Sequence, residues 1–268
     1  MPESDLDKII ESVQKNSRYA GIDTALVASV ARTMLKKGFS TKETVKRTRA
    51  KLHQVGGAYQ EKKIPYQDLL AELSALPTDL HADETKEFCR KAMRFHRSTE
   101  ERLYLLHTVY DQLFSKLSPI NSILDLACGF NPLSLPWMPV TEECTYFACD
   151  IYPEMVAFIN TFFAHFSIRG EAFTCDLTQK IPQHEVDFAI VFKTIPCLEQ
   201  VDKTIGLRLL SQLNTKTAVV SFPVRSLSGR AKDMPRFYEE HFLDLIAETN
   251  WQLEKYATID ELFFILYR

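Results

Sequence analysis

Two hydrophobic rhythms divide the chain. Up to about residue 115 the apolar positions recur at helical spacing, as at Ile9, Ile10 and Val13 and again at Leu26, Val27, Val30 and Leu35. Ser40 followed by Glu43 predicts a capped helix running to about His53, where Gly56 and Gly57 stop it. Further helices are predicted over 66–76, 83–94 and 98–117. From about Pro119 the rhythm changes. Short β-rich runs alternate with helical stretches: SILDLAC, CTYFACD, EAFTCD, VDFAIVFK, TAVVSFPV, LEKYAT and LFFILYR. Such alternation predicts βαβ units and a mostly parallel sheet. Only Ile259, Asp260 and Glu261 join the last two runs, too few for a crossover helix, so these runs are expected to form an antiparallel hairpin. The expected fold is α/β: a Rossmann-like, mostly parallel sheet with a C-terminal antiparallel hairpin (118–268), preceded by an N-terminal helical domain (1–117).

Charge sharpens this division. The 268 residues carry a formal net charge of −3, but residues 32–63 hold ten basic side chains against two acidic ones. Residues 116–268 hold 13 basic and 19 acidic side chains. A basic block on a mildly acidic body points to a local anionic partner, and a phosphate backbone fits best. Within the helix opened by Ser40, Lys42, Lys46 and Arg49 share one face. The N-terminus has no apolar core behind a basic start, so no secretory signal is expected. No apolar run approaches the roughly 20 residues of a membrane span. Six cysteines without a CxxC pair read as reduced thiols, and a cytoplasmic location is expected. With no amphipathic surface left unassigned, a monomer is expected.

Candidate chemistry gathers at the strand ends. The first strand ends in Asp125-Leu126-Ala127-Cys128-Gly129-Phe130-Asn131-Pro132. Its small residues at 127–129 allow a ligand close to the backbone. Asp150 closes the second strand 21 residues beyond Gly129, a spacing that suits a carboxylate bonded to ribose hydroxyls. Asp176 closes the third strand, followed by Leu177, where the acid commonly accepts from an adenine amino group and the apolar neighbour packs on the ring. Phe192 and Lys193 end the fourth strand, beside the position of a transferred group. An Asp after one strand is often only a turn former. Acids after three successive strands, beside an Ala-Cys-Gly turn, together describe a class I S-adenosylmethionine-dependent methyltransferase. A nicotinamide dehydrogenase would be expected to show GxGxxG, which is absent.

The segments RTRAKLHQVGGAY (47–59), FHRSTEERL (95–103), ILDLACGFNPL (123–133), VFKTIPCLE (191–199) and SFPVRSLSGRAKDM (221–234) carry a closer resemblance. In order and spacing the chain resembles the aminoglycoside-resistance 16S rRNA methyltransferases that modify N7 of guanine 1405. The last segment is the most specific, since Arg-Ser-Leu-x-Gly-Arg-x-Lys-x-Met is not a general methyltransferase pattern. The resemblance implies cofactor contacts at Tyr59, His96, Arg97, Ser98, Arg102, Ala127, Gly129, Asp150, Ile151, Asp176, Leu177 and Phe192, with Arg102 on the methionine carboxylate. It implies that Lys193, Arg225 and Met234 position the target base, and that Lys42, Lys46, Arg49, His53, Arg230 and Lys232 face RNA of the 30S subunit. It also sets Arg97, where the family often has Ala, as an extra cation next to the cofactor. No general base and no metal are assigned.

Other readings of single residues stay open. His96 could start a helix and bond only backbone, His53 could simply end one, and Lys193 could pair with Glu199 or Asp202. Two other functions also remain: a small-molecule methyltransferase whose N-terminal helices form a lid, and a non-catalytic ribosome-binding protein on the same fold.

Overall fold

The computed structural model describes residues 3–57, 59, 63–114, 119–224, 234–258 and 260–268. The first half is helical: α1 (Glu3–Gln14), α2 (Ser17–Ala20), α3 (Thr24–Lys36), α4 (Thr41–Leu52), α5 (Tyr66–Ser74), α6 (Asp83–Met93), α7 (Arg97–Glu100) and α8 (Leu106–Phe114). Helices α1, α3 and α4 pack on one another through Ile9, Val13, Leu26, Val27, Val30 and Leu52, all buried. Local signals set their starts: the Asp23 carboxylate accepts from the Leu26 amide at 3.1 Å, and Ser40 Oγ from the Glu43 amide at 3.4 Å. Helix α4 runs into a π-type turn, His53–Gly57.

The helix expected over 98–117 is broken. Helix α7 is followed by a 3₁₀ turn at Leu103–Leu105 before α8 begins. The break falls where the Arg102 side chain pairs with Glu261, at 1% exposure for both. That tertiary pairing overrides a helical preference worth a few tenths of a kcal/mol per residue.

The second half builds one seven-stranded sheet from β1 (Ser122–Leu126), β2 (Thr145–Asp150), β3 (Arg169–Thr174), β4 (Val186–Phe192), β5 (Thr215–Pro223), β6 (Gln252–Ala257) and β7 (Glu261–Tyr267). Their spatial order is β3-β2-β1-β4-β5-β7-β6. Strands β1 to β5 are parallel, and β7 runs antiparallel between β5 and β6. Helices α9 (Pro153–His165), α10 (Thr194–Leu198), α11 (Ile205–Gln212) and α12 (Met234–Ala247) complete the layers. Because the order reverses between β1 and β4, their carboxyl ends open a crevice, the usual ligand position in such sheets.

Both sheet faces are buried. Leu124, Leu126, Ala189, Val191, Val220 and Phe264 form one layer with α10, α11 and α12. Ile123, Phe188, Phe158 and Phe130 belong to the other, which continues without interruption into Leu26 and Leu52 of the helical half. The N-terminal helices are thus packed onto the sheet rather than tethered to it. Among the described residues no helix is long and apolar enough to cross a membrane. Cys89, Cys128, Cys144 and Cys149 are buried free thiols, and Cys175 and Cys197 are half-buried free thiols.

Candidate active site

A cleft lies at the crevice between β1 and β4, the usual ligand position in a doubly wound sheet. It gathers Tyr59, His96, Ser98, Ala127, Asp150, Ile151, Asp176, Leu177, Phe192 and Lys193. These residues come from six separate stretches of sequence. Leu26, Val55 and Gly56 of the helical half, with Tyr152, Cys175, Thr194, Cys197 and Leu198, complete the lining. Nothing in the local sequence selects these eight, because each is an ordinary core or turn residue until the fold aligns it.

The loops that shape the cleft are unusual in their backbone. Ala127, Gly129 and Lys193 all adopt left-handed conformations, with φ of 52°, 53° and 55°. Non-glycine residues are held there only when surrounding contacts over-determine them. At Lys193 the amide donates to the Ser221 carbonyl at 3.0 Å and to Ser221 Oγ at 3.1 Å. The Gly129 amide donates to Asp150 Oδ2 at 2.8 Å, and the Ile151 amide to Asp150 Oδ1 at 2.7 Å. Burial raises the Asp150 pKa, and bonds from the Gly129, Ile151 and Tyr152 backbone oppose that shift. Asp125 and Asn131 brace the first loop from beneath: Asn131 donates to Asp125 at 2.9 Å and accepts from Arg102 at 3.3 Å and Tyr110 at 2.7 Å. Burial pushes the Asp125 carboxyl up to about 6, against bonds from Asn131 and Tyr146.

The donors and acceptors fit a nucleoside linked to an amino acid. Asp176 Oδ1 accepts from the Thr178 amide and hydroxyl at 2.9 and 2.6 Å, while its buried Oδ2 finds no partner among the described residues. Buried carboxylate oxygens are rarely left so, and an adenine amino group is the complementary donor. Asp150 keeps further lone pairs, which would suit ribose hydroxyls. Arg102 stacks on the Phe192 ring, 4.6 Å from its centroid, and its buried Nε is also unpartnered among the described residues. A planar guanidinium so placed suits an incoming carboxylate. His96 stacks on Tyr59 at 5.9 Å and lies against Gly129. Burial first, then Arg102 and Lys193, lower its pKa to about 3, so its imidazole is neutral at ordinary pH. It does begin α7, but its side chain makes no capping bond.

Two residues that the sequence did not single out tie the cations of this site together. Arg97 Nε meets Glu101 at 3.3 Å, Glu101 meets Lys193 Nζ at 2.6 Å, Lys193 meets Glu261 at 3.3 Å, and Glu261 meets Arg102 at 3.2 Å. Ser221 Oγ also donates to Glu261. Lys193 therefore pairs with Glu101 and Glu261, not with Glu199 or Asp202. Glu199 instead bonds His241 Nε2 at 2.8 Å, and Asp202 meets Arg208 at 3.7 Å. Arg97 is absent from the cleft lining, and its Nε meets Glu101.

The basic helix also needs one correction. Lys42 and Lys46 are exposed on α4, but Arg49 is half-buried and donates to the Ser12 carbonyl, so its charge fastens α4 to α1 instead of facing outward. His53 closes α4, half-buried, with Nδ1 unpartnered among the described residues. Met234 is the first residue of α12 and half-buried. Arg225, Arg230 and Lys232 lie outside the described residues. Among the described residues no cluster of His, Cys, Asp and Glu could hold a metal ion.

Asp150 provides a direct test of this geometry. Asp150→Ala should weaken S-adenosylhomocysteine binding by about 1.5–3 kcal/mol, the scale of lost charge-assisted hydrogen bonds. Unchanged affinity by calorimetry in a folded variant would remove this carboxylate from the ligand site.

Comparison with known proteins points in one direction. The model of a family described as ribosomal RNA methyltransferase (FmrO) matches residues 15–265. The chain is 29% identical over 267 residues to a 16S rRNA (guanine(1405)-N(7))-methyltransferase of Micromonospora echinospora, covering 99% of this chain and 97% of the relative. It is 32% identical over 269 residues to a protein of the same description from Frankia casuarinae, covering 99% and 95%. The crystal structure of the 16S rRNA methyltransferase RmtF in complex with S-adenosyl-L-homocysteine superposes with a TM-score of 0.82 at 27% identity, covering 100% of this chain and 99% of that one.

Proposed function

Because the chain belongs to the FmrO family of ribosomal RNA methyltransferases, we infer that it methylates N7 of guanine 1405 in 16S rRNA within the 30S subunit, using S-adenosylmethionine. Aminoglycoside resistance is the consequence expected for a cell that carries it. The observation that carries this reading is the joint placement in one cleft of Asp150, the orphan acceptor of Asp176 and Lys193, with the Arg102 guanidinium stacked on Phe192 of the cleft wall.

The bound cofactor supplies an electrophilic methyl group on a cationic sulfur. Guanine N7 presents an in-plane lone pair with no proton to remove, so the protein needs no general base. Its contribution is to fix the reacting atoms in line, which is where most of the acceleration should arise. Asp176 would hold the adenine end of the cofactor, Asp150 its ribose and Arg102 its carboxylate. The neutral His96 ring and Phe192 close off water. Lys193 borders the target side, and its charge is offset by Glu101 and Glu261, so it does not oppose the positive charge that the purine acquires.

N7 faces the deep, narrow major groove of A-form RNA, which side chains do not reach. The target base must leave its stack, at a cost of a few kcal/mol. Phosphate contacts from the helical half offset that cost. We assign residues 1–117 to docking and 118–268 to chemistry, with Arg225 and Met234 at the extruded nucleotide and His53, Arg230 and Lys232 on flanking RNA. A monomer acting in the cytoplasm suffices for this scheme.

Methylation of purified 30S subunits, mapped by borohydride–aniline cleavage at 7-methylguanosine, tests the inference. Cleavage is expected at guanine 1405 with 30S subunits and should be weak with protein-free 16S rRNA, because the docking surface reads folded shape. Reversing Lys42 and Lys46 to Glu should weaken 30S binding and flatten its salt dependence by up to about two units of log–log slope. Cleavage elsewhere, transfer only to small molecules, or indifference to the double reversal would count against the scheme.

A further inference from the structure

Among the described residues three large hydrophobic side chains are strongly exposed: Tyr104, Phe237 and Leu243. Leu243 lies on a different side of α12 from Phe237, and Tyr104 donates its hydroxyl to Asp260 at 2.7 Å. Phe237 is the most exposed, at 61%, and it stands in a defined row of rings. Phe222 of β5 is fully buried and packs on Tyr238, with ring centroids 5.3 Å apart. Tyr238 meets Phe237 edge-on at 5.6 Å, and Phe237 lies parallel to His241, 6.2 Å away at 12°. His241 is in turn held by Glu199 at 2.8 Å.

This row leads from the core to the rim of the cleft. His241 bonds Glu199, and the neighbouring Cys197 and Leu198 of α10 line the cleft, where Cys197 meets Tyr59 Oη at 3.0 Å. Phe237 stands one helical turn after Met234, at the end of α12 that follows the carboxyl end of β5. A solvated phenyl ring on the first turns of a helix gains nothing for the fold, since the hydrophobic benefit of burial is forgone. Tyr238 and His241 contact the ring on two sides, and 61% of the residue stays exposed. In a protein that must hold unstacked RNA, an open, oriented ring beside the reaction site matches one ligand chemistry: the flat face of an unpaired nucleobase.

Resting on the function inferred above, we propose that Phe237 is a stacking platform for an unpaired base of the rRNA substrate at the rim of the cleft, with Tyr238 and His241 holding its orientation. The ring takes a base displaced around the target, and so stabilises the opened RNA rather than the initial encounter.

Three full-length variants test this: Phe237→Leu, Phe237→Ala and Phe237→Trp. The Leu variant keeps an apolar side chain and removes only the ring. Single-turnover methylation of 30S subunits should fall at least fivefold for Leu and for Ala, the low end of what stacking one base provides. Binding of S-adenosylhomocysteine should stay within twofold and the melting temperature within about 2 °C, which separates stacking from a structural role. The Trp variant should retain activity within threefold, and its added exposed indole should lose emission on mixing with 30S subunits. Wild-type rate in the Leu variant, or Trp emission unchanged by 30S subunits, overturns the proposal. So does a wild-type dimer that Phe237→Ala dissociates, because the ring would then serve a second copy of the chain. Wild-type protein run in parallel keeps the two inferences apart: its failure to methylate 30S subunits strikes the function, whereas an active wild type beside an equally active Leu variant strikes only the stacking role.

Discussion

Glu261→Ala should be the most disruptive single truncation near the cleft, lowering stability by about 3–5 kcal/mol, the scale for breaking a buried ion pair. Glu261 is 1% exposed and bonds Arg102 Nη1 through both oxygens, at 3.2 and 3.3 Å, as well as Lys193 at 3.3 Å. Lys193 would keep Glu101, but Arg102 would keep only neutral partners, Ser98 at 3.4 Å and Asn131 at 3.3 Å. Burial alone would lower the Arg102 pKa, and Glu261 is the largest influence that reverses this. In a chain of this size the loss amounts to roughly 6–20 °C in melting temperature. Glu261→Gln keeps the shape and removes the charge, so it should show most of the same fall. S-adenosylhomocysteine brings its own carboxylate to Arg102, and it should therefore raise the melting temperature of the Gln variant by more than that of the wild type. Calorimetric scans with and without ligand measure both quantities. A fall below about 2 °C, or equal ligand-induced shifts in both proteins, would show that Glu261 is not what compensates the buried cations.

Gly129→Ala should all but abolish cofactor binding while leaving the fold in place. The position has φ of +53°, and a Cβ there would stand 2.5 Å from His96 Cε1 and 2.6 Å from Nδ1. That ring is buried and stacked on Tyr59, so it can yield only into the cleft that it lines, where it would obstruct the ligand. The clash falls on the loop whose amide holds Asp150. A loss of at least tenfold in S-adenosylhomocysteine affinity is expected, with about 1–2 kcal/mol of destabilisation from the left-handed backbone. Gly38 supplies the control. It has φ of +81° with nothing within 4 Å of an added Cβ, so Gly38→Ala should show the backbone cost alone and bind normally. If Gly129→Ala bound within twofold of wild type, the His96–Gly129 contact would not shape the ligand site.

The helical half and the sheet differ in how much of each was legible. All seven strand runs, the terminal hairpin and the Ser40 cap rest on local pattern and short connections, and the structure has all of them, with the third strand shifted to Arg169–Thr174 so that Asp176 falls two residues past its end. Asp150, Asp176, Leu177, Phe192 and Lys193 lie at or just after the ends of strands whose carboxyl ends point one way in any parallel sheet. Finding the strands therefore located the crevice. The long helix expected over 98–117 failed for the opposite reason. Its apolar spacing is helical throughout, and the break at Arg102 comes from a carboxylate 159 residues away.

The sequence by itself determined which elements form, the order in which acidic residues meet the cleft, and the family, since each depends on spacing along the chain. Only the tertiary structure decided what those residues do to one another. Glu261 reads as the last residue of a short turn, yet it becomes the counter-ion of Arg102 and Lys193 because β7 runs antiparallel beside β5. Arg49 reads as one more cation on a basic face, yet packing of α4 on α1 turns it to the Ser12 carbonyl. Leu26 and Gly56 become part of the cleft only because the helical half is packed against the sheet. Propensity and periodicity act over a few residues, whereas compensation of buried charge acts over a few ångströms, and folding alone brings distant residues within that range.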